Sequence, residues 1–422
     1  CKAALAPWAA TGQGERGRLL GSLGERLEAE AGSLAREMAE RIGKPVRYGG
    51  VEVRRTAQML EAVARHAEAP AREPVGDVAE LRRRPLGVVA LITPWNSPVY
   101  IALGKLAPAL AYGNAVLWKP APAAQAISER LAELIAEAGF PQGLVSVVAG
   151  GRREAAQAMA DPAVAAVTLT GGSLAGSAAQ ETCARRHIPL QAELGGNNAA
   201  LVWPDADLGQ AAAELAHGAF ALAGQRCTAN RRVVVHQDAH DELIELLTRE
   251  TAALAWGDPL LEETHVGPMV SEAERDRVAA LVERARAGGA DVLQPHDEPP
   301  EDGGAWYPPT IVGCDDPSHE IVQHESFGPL LVVQRASDWD HAVSLVNGVS
   351  QGLVAALFSS SAEVQSRFLE ETDAGILKLN RSTADAEVDV PFGGWKSSGV
   401  GPPEHGAFDR DFYTRPQIVY GV

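Results

Sequence analysis

The sequence predicts an α/β protein with two domains that enclose a cleft. Two observations indicate this class: short β-rich runs alternate with helical runs from residue 87 onward, and a second block of the same kind begins near residue 207. Such alternation is typical of βαβ units, which build parallel sheets. The chain has 422 residues, 46% of them hydrophobic, which is enough to bury one large core or two.

The first predicted elements are two amphipathic helices. Apolar residues recur at spacings of three, four and seven from residue 15 to 43, where Gly43 and Pro45 end the helix, and residues 51–68 repeat the pattern. A Pro- and Arg-rich stretch follows at 69–85. The predicted strand and helix pairs are then 87–92 with 97–112, 115–118 with 123–138, 144–148 with 152–160, and 164–169 with 174–186.

In the second block, the sequence pattern identifies fewer strands than in the first. The predicted elements are a helix at 207–222, a strand at 232–236, helices at 239–255 and 271–288, and a strand-like 417–420 in the tail. Residues 293–309 are the most loop-like part of the chain.

Charge and composition limit the partners. The 55 acids outnumber the 37 bases, so a formal charge of −18 provides no strong positive field for nucleic acid or anionic lipid. There is no apolar run long enough to span a membrane, and the first 30 residues are polar and helix-like, unlike a signal peptide. We therefore expect a cytoplasmic protein that handles a small molecule, with no nucleic acid and no membrane as partner.

The cysteines do not suggest a scaffold or a metal site. Cys1, Cys183, Cys227 and Cys314 lie far apart without CxxC or CxH spacing. A reducing compartment fits this usage, and no metal ligands are predicted. The bases comprise 31 Arg and only 6 Lys, so each lysine is slightly more informative than usual.

One cysteine lies in a segment that could carry chemistry. Cys227 follows Gly224, Gln225 and Arg226, between a predicted apolar helix and a strand. A lone cysteine is usually a small buried residue. A nucleophilic one needs a nearby base or a lowered pKa, and also donors for the oxyanion that forms at an attacked carbonyl.

Two further segments could supply those needs. Glu193 precedes the paired glycines Gly195 and Gly196, where desolvation would raise the pKa of its carboxyl group to suit a general base; an exposed turn acid is the alternative. Asn96, in Thr93-Pro94-Trp95-Asn96, follows a strand at the sheet edge where ligands bind, although a helix-capping turn explains it equally well.

Candidate cofactor residues lie at the same predicted edge. Lys119 ends the next strand. The segment from Thr170 through Gly171, Gly172, Ser173 and Gly176 joins a strand to a helix, so its amides could face a pyrophosphate. Because it is not GxGxxG, the spacing alone is equally compatible with a plain turn.

Taken in order, these segments resemble the aldehyde dehydrogenase superfamily from about Trp8 to the C-terminus. The matching motifs are Pro94-Trp95-Asn96, Lys119-Pro120, Glu193-Leu194-Gly195-Gly196, Gly224-Gln225-Arg226-Cys227, Glu325-Ser326-Phe327-Gly328-Pro329 and the block from Pro391 to Gly399. The resemblance implies two doubly wound α/β domains, one Rossmann-like for NAD(P) at 1–195 and one catalytic at 196–400. It also implies a small oligomerisation element, with a strand at 408–422 and a shortened segment at 69–85.

The resemblance also implies residue roles. Cys227 attacks the aldehyde, Asn96 and the Cys227 amide bind the oxyanion, and Glu193 activates the water that hydrolyses the thioester. Expected cofactor contacts come from Thr93, Pro94, Trp95, Lys119, Gly171, Gly172, Ser173, Gly176, Leu194, Glu325 and Phe327. A homodimer or homotetramer is expected.

The chain departs from the family in four places. About 50 residues that usually precede Trp8 are missing, so we expect a trimmed chain or an additional N-terminal segment. Gly172 replaces the usual Ser or Thr of the phosphate loop, and Pro122 stands where NAD-preferring relatives carry a Glu. NAD is the favoured cofactor, with NADP as the alternative. Residues 401–406 contain one residue more than the usual motif, with an effect that the sequence does not define.

Three functions compete at this point. They are a non-acylating NAD(P)-dependent aldehyde dehydrogenase, a catalytically silent relative that acts in binding or as a scaffold, and a CoA-acylating dehydrogenase. The intact set of Cys227, Glu193 and Asn96 argues against the second, and Glu193 argues against the third. For the substrate, Lys378 and Arg381 are candidates to hold the carboxylate of a semialdehyde, with a solvated surface pair as the alternative.

Overall fold

The computed structural model describes residues 1–296, 299–300, 304–384 and 386–421. Within these ranges the helices are α1 Lys2–Ala10, α2 Gln13–Ala29, α3 Ala31–Ile42, α4 Val46–Ala67, α5 Tyr100–Ala111, α6 Gln125–Glu137, α7 Arg152–Ala160, α8 Ser173–Arg186, α9 Leu208–Phe220, α10 His240–Ala252, α11 Glu272–Ala287, α12 Glu320–Gln323, α13 Trp339–Asn347, α14 Ala362–Glu371 and α15 Ala407–Tyr413.

The strands in the same ranges are β1 Arg72–Val75, β2 Ala79–Pro85, β3 Val88–Thr93, β4 Ala115–Pro120, β5 Val145–Val147, β6 Val164–Thr170, β7 Leu190–Glu193, β8 Ala199–Val202, β9 Arg232–His236, β10 Asp291–Leu293, β11 Thr310–Gly313, β12 Leu330–Ala336, β13 Gln351–Gly352, β14 Val354–Phe358, β15 Ile376–Leu379, β16 Trp395–Lys396, β17 Gly399–Val400 and β18 Thr414–Tyr420.

Two large sheets confirm the predicted α/β class. The first has the order β17-β7-β6-β3-β4-β5 and the second β10-β11-β12-β9-β8-β14-β15. Within each sheet the strands run parallel except for β17 and β10, which pair antiparallel at the edges. Parallel strands place their carboxyl ends at one edge, so the residues that follow β3, β4, β6 and β7 meet there.

Both faces of the second sheet are covered, as a doubly wound sheet requires. Along β8, Ala200 and Val202 pack into one apolar cluster, with residues of α9, α10 and α11. Ala199 and Leu201 point the other way, into a cluster with α13 and α14. Successive side chains of β8 thus point to opposite faces of the sheet, and both faces are buried. For this reason the sequence of the strand is apolar at every position.

The predicted helix at 15–43 is two helices. The break falls at Glu30, between α2 and α3, and both helices pack against α4. The apolar spacing continues across the break, since Leu27 and Leu34 are seven residues apart, so hydrophobic periodicity alone did not reveal it. The carboxylate of Glu30 pairs with Arg130 on α6. This ion pair attaches the turn between α2 and α3 to α6.

The chain returns to the first sheet near its end. Residues 399–400, placed by the sequence at the end of the catalytic domain, pair with Glu193 and Ala192 in β7. Residues 72–85 form a hairpin, β1 with β2, and β18 adds to it as a third strand. The functional division at residue 195 remains a prediction.

Candidate active site

A cavity of about 400 Å³ lies where the two sheets face each other. Asn96 after β3, Glu193 at the end of β7 and Cys227 before β9 all line it. The structure therefore brings together the three residues that the sequence nominated as catalytic, from three separate segments.

The segment before Cys227 is strained. Leu222, Ala223 and Gly224 have φ angles of 59°, 52° and 64°. The left-handed region costs a non-glycine residue roughly 1–2 kcal/mol, and such strain persists where surrounding structure enforces it. Here Arg231 holds the end of the segment, because its guanidinium donates to the carbonyl of Gly224. It also donates to the carbonyls of Gly328 and Arg226, each at 2.9 Å.

The carbonyl of Cys227 is also held. Asn198 Nδ2 donates to it at 2.7 Å, and the absence of a side chain at Gly196 leaves room for that carbonyl, since a Cβ there would lie 2.4 Å from it. The paired glycines of the base motif thus allow the nucleophile segment to pack against β7 and β8. This close approach is the physical need for glycine at 196.

Cys227 is a partly buried residue that lines the cavity. Desolvation raises its pKa to about 12, with smaller contributions in the same direction from Glu325 and Glu193. The resting thiol is therefore protonated near neutral pH, and the reactive thiolate has to form by loss of a proton when the site is loaded.

Asn96 is 6% exposed, and its side chain is already oriented. Its Nδ2 donates to the carbonyl of Gln225 at 3.0 Å. An amide nitrogen has two N–H donors, and this is the only hydrogen bond from Nδ2 among the described residues. This hydrogen bond fixes the plane of the Asn96 amide, so the second N–H has a defined direction. It can donate to an oxyanion beside Cys227.

Glu193 has the surroundings of a general base. It is 4% exposed, and its Oε2 lacks a hydrogen-bond partner among the described residues. Burial raises the pKa of its carboxyl group, as does the nearby Glu404, while Lys105 opposes them. A carboxylate with a raised pKa is a better proton acceptor at neutral pH than a solvated one.

The pair Lys105 and Glu404 was missed by the sequence analysis. Lys105 on α5 is fully buried, pairs with Glu404 and donates to Thr168 Oγ1 at 3.1 Å. Glu404 lies in the atypical segment 401–406, whose prolines are held by Gln191 Nε2, at 3.1 Å from the carbonyl of Pro403. Although segment 401–406 has one residue more than the usual motif, Glu404 still lines the cavity. The sequence did contain one signal for such a pair, which is the scarcity of lysine. Three of the six lysines, Lys44, Lys105 and Lys119, are buried.

Asp409, on α15 behind this pair, gives a prediction about stability. It is 3% exposed and accepts from the amide of His405 at 3.0 Å, and burial raises its pKa to about 8. Between about pH 4 and pH 8, Asp409 holds a proton in the folded chain and releases it in the unfolded chain. The free energy of unfolding therefore falls as pH rises through this range. We expect Asp409→Asn to raise the free energy of unfolding by about 1–3 kcal/mol at pH 8, and by less at pH 5.

Urea unfolding of both proteins at the two pH values measures this difference. A gain of the same size at pH 5 and pH 8 would contradict the assignment of a raised pKa to Asp409.

The predicted cofactor residues lie at or after the ends of β3, β4, β6 and β7 of the first sheet and in the segment between α12 and β12. Lys119 is 4% exposed at the end of β4, and burial lowers its pKa, with the charge of Glu154 acting in the other direction. Glu325 Oε1 accepts from the amide of Gly196 at 3.1 Å. Phe327 packs edge to face against Trp95, with ring centroids 5.9 Å apart.

The proposed phosphate segment divides into two parts. Gly171 and Gly176 serve the fold: the Gly171 amide donates to Glu193 O at 3.0 Å, and a Cβ on Gly176 would meet Leu194 at 2.5 Å. Gly172 and Ser173 are exposed at the N-terminus of α8, where no side chain caps the helix. Open first-turn amides suit a phosphate group.

Two of the predicted contacts are occupied within the protein. Thr93 Oγ1 accepts from Trp118 Nε1 at 2.9 Å, and Thr93 O accepts from the amide of Ala121 at 2.9 Å. Leu194 is buried, and its amide donates to Ser398 O at 2.8 Å. These groups hold the protein together, while Pro94 and Trp95 lie on the loop between β3 and α5.

The two cations nominated for the substrate do not line the cavity. Lys378 Nζ donates to the carbonyl of Thr383 at 3.0 Å, and Arg381 forms an exposed pair with Glu387 at 3.3 Å. Among the described residues, the arginines that line the cavity are Arg55 and Arg226. Arg55 pairs with Glu387, and Arg226 Nη2 donates to the carbonyl of Gly218 at 3.3 Å. Arg226 was visible in the sequence beside Cys227, but nothing in the pattern showed that its side chain faces the cavity.

Fold and site together define an α/β protein in which a thiol, a buried carboxylate and an amide donor line one cavity. The chain belongs to the aldehyde dehydrogenase family, whose model matches residues 1–419. It is therefore an NAD(P)-dependent oxidoreductase that converts an aldehyde to the carboxylic acid.

Individual relatives agree with this assignment. An alpha-ketoglutarate semialdehyde dehydrogenase of Haloferax volcanii is 35% identical over 98% of this chain and 87% of its own length. Betaine aldehyde dehydrogenase 2 of Rhizobium meliloti is 34% identical over 99% and 87%. The crystal structure of an NAD-dependent aldehyde dehydrogenase from Sinorhizobium meliloti superposes with a TM-score of 0.95 at 34% identity, covering 100% of this chain and 85% of that one.

Among the described residues, no helix combines the length and apolar composition that crossing a membrane requires. The resemblance and the fold class inferred from the sequence are both confirmed.

Proposed function

We propose that Cys227, Glu193 and Asn96 carry the reaction on a non-acylating path. The Cys227 thiol loses its proton to solvent in the cavity, and Sγ then bonds to the aldehyde carbon as the carbonyl π bond breaks. The resulting oxyanion accepts from Asn96 Nδ2 and the Cys227 amide. Bound NAD(P) supplies the hydride acceptor, which leaves an acyl thioester on Cys227. Glu193 then takes a proton from water, the water oxygen bonds to the acyl carbon, and the acid leaves as the thiol is restored.

The observation that supports these roles is the common cavity. A thiol, a carboxylate with a raised pKa and an oriented amide come from three distant segments and line one space. A silent relative would have no need to keep all three. A CoA-acylating enzyme would have no need for a base at Glu193, since a thiol and not water would release the acyl group.

One assay separates the three functions. Purified protein is mixed with a panel of aldehydes and NAD or NADP, with and without CoA, and the nicotinamide absorbance is followed. Our proposal predicts reduction of the cofactor without CoA and release of the free acid. A strict requirement for CoA would establish the acylating path, and no reduction with any member of the panel would support the silent relative.

For the substrate, we favour an aldehyde with a carboxylate at its far end. The name of the Haloferax volcanii relative points to such a semialdehyde. Arg226 and Arg55 line the cavity, unlike Lys378 and Arg381. A guanidinium binds a carboxylate with directed hydrogen bonds, and a substrate carboxylate would compete there with Glu387 for Arg55. The panel therefore includes anionic, neutral and cationic aldehydes of similar length, and the highest kcat/KM is expected for the anionic ones. A preference for cationic aldehydes would exclude this substrate class.

For the cofactor, we propose that Lys119 reaches the adenine ribose, Glu325 the nicotinamide ribose and Phe327 the nicotinamide side of the pocket. Exposed Pro122 follows the end of β4 and begins a short 3₁₀ turn. It neither accepts from a ribose 2′-OH nor repels a 2′-phosphate. NAD is favoured, with modest discrimination against NADP.

This assignment gives a measurable prediction. We expect kcat/KM for NAD and NADP to lie within about a hundredfold of each other, and Pro122→Glu to shift preference toward NAD by at least about tenfold, or roughly 1.4 kcal/mol. The physical reason is repulsion between the new carboxylate and the phosphate, worth ~4 kcal/mol at contact before screening. Rejection of NADP by more than about a thousandfold in the unmodified protein would show that another residue excludes the phosphate.

For assembly, we propose a homodimer or homotetramer formed through the small sheet. The order β1-β2-β18 leaves β18 at an open edge, and Val75, Val78, Ile418 and Tyr420 expose apolar side chains around it. An open edge with apolar side chains is a surface that proteins usually cover. Light scattering of the purified chain gives its mass. The proposed location is the cytoplasm, as the spacing of the cysteines suggests.

A further inference from the structure

The loop that carries Asn96 has no regular structure of its own. It joins β3, which ends at Thr93, to α5, which begins at Tyr100. An oxyanion donor has to be held within a fraction of an ångström, because misplacement by about 1 Å can cost a hundredfold in rate. Something outside the loop therefore has to fix its position.

Two buried charges from another part of the chain contact this loop. Lys44, before α4, and Glu52, on α4, form an ion pair in which both side chains are 5% exposed. Lys44 Nζ donates to the backbone carbonyl of Asn96 at 3.1 Å and lies 3.5 Å from Ser97 Oγ.

Glu52 holds the other end of the loop. Its Oε1 accepts from the amide of Val99 at 2.9 Å and from the amide of Tyr100 at 3.0 Å. These are first-turn amides of α5, which have no partner inside the helix. The carboxylate therefore caps α5 from a neighbouring helix, and the charge of Lys44 compensates its burial.

Asn96 is consequently held on two sides. Lys44 fixes its backbone carbonyl, and the Gln225 carbonyl, two residues before Cys227, fixes its side-chain amide at 3.0 Å. The first contact ties Asn96 to α4 and the second ties it to the nucleophile segment. Rotation of the peptide after Asn96 would break the contact with Lys44 and displace the remaining N–H from the oxyanion position.

We infer that the buried pair Lys44–Glu52 positions the oxyanion-binding amide of Asn96 and thereby sets the rate of attack by Cys227. Lys44 and Glu52 are positioning residues in this scheme, because they act through Asn96. The inference rests on the oxyanion role proposed for Asn96 above.

A double-mutant cycle tests this inference. Removing one partner alone would leave a buried charge unpaired, so the combined variant Lys44→Met with Glu52→Gln is used, in which Gln keeps an acceptor for the amides of Val99 and Tyr100. We expect it to lower kcat and kcat/KM by about 10- to 100-fold, with little change in the KM for NAD(P). In an Asn96→Ala background the same pair of changes is expected to cost less than about threefold.

A matched control uses the partly buried pair Glu30–Arg130, which does not line the cavity. Glu30→Gln with Arg130→Met is expected to leave kcat within about twofold of the unmodified enzyme. Circular dichroism and the unfolding midpoint establish that each variant is folded. If the neutral Lys44 and Glu52 variant does not fold, Lys44→Arg takes its place in the cycle, because it keeps the charge while moving the donor away from the Asn96 carbonyl.

The outcomes separate the two levels of the proposal. A loss of equal size with and without Asn96 would overturn the inference, because the pair would then act on the substrate or on the fold directly. An Asn96→Ala variant of unchanged activity would overturn the oxyanion role itself, and the positioning role with it. A loss that disappears in the Asn96→Ala background supports both.

Discussion

Replacing Cys227 with Ala should abolish aldehyde oxidation while leaving cofactor binding intact. The thiol is the only group in the cavity proposed to bond covalently to the substrate, and losing such a nucleophile should raise the barrier by at least ~3 kcal/mol. Steady-state kinetics measure the first effect, and titration with NAD(P) followed by fluorescence measures the second. Retention of more than about a hundredth of the rate would exclude Cys227 as the nucleophile.

Cys314 provides the matched control. All four cysteines are free thiols, and Cys314 is buried beyond β11, where its Sγ makes a long contact of 3.9 Å to the carbonyl of Asp316. Cys314→Ala removes a thiol that lies outside the active-site cavity. Its kinetic effect should be small, so that any loss in the Cys227 variant can be assigned to position and not to the general loss of a thiol.

The second large effect is expected from Glu193→Gln. Attack by Cys227 and hydride departure depend less on the carboxylate than hydrolysis of the thioester does, so the variant should release one NAD(P)H per site rapidly and then turn over slowly. Stopped-flow absorbance gives the amplitude of this burst. A uniformly slow reaction without a burst would place Glu193 before the hydride step or outside the site.

The rate of thioester hydrolysis should also change with pH in a definite direction. Burial raises the pKa of Glu193, so the fraction that is an ionised base grows as pH rises through that raised value, and hydrolysis of the thioester should accelerate with it. In Glu193→Gln this acceleration should disappear, because the amide does not titrate. The comparison is made on the slow phase after the burst, at pH values where both proteins remain folded.

The sequence predicted the elements of the fold well where a strand or helix is decided locally. Strand 232–236 and helix 152–160 have the predicted bounds, because three successive valines mark the strand and Glu154 caps the start of the helix by accepting from the Gly151 amide. The break at Glu30 was missed, since the apolar spacing continues across it and the turn is fixed by a contact with Arg130 on another helix. Contacts between elements leave no local pattern.

The same distinction applies to the site. Cys227, Glu193 and Asn96 stand in recognisable motifs, whereas Lys44, Glu52, Lys105 and Glu404 are isolated residues whose importance comes from burial and pairing. Conversely, Lys378 and Arg381 looked suitable for a substrate carboxylate but bind Thr383 and Glu387. The direction of a long side chain depends on packing that neither periodicity nor spacing determines.

The covalent role of Cys227 is tested most directly by denaturing mass spectrometry of Glu193→Gln, quenched after mixing with aldehyde and NAD(P). Proteolysis of the quenched protein then locates any added mass. We predict an acyl group of the substrate's mass on the peptide that contains Cys227, at close to one per chain, and none in a sample prepared without cofactor. A full burst of NAD(P)H with no adduct on Cys227, or an adduct on another residue, would contradict the mechanism.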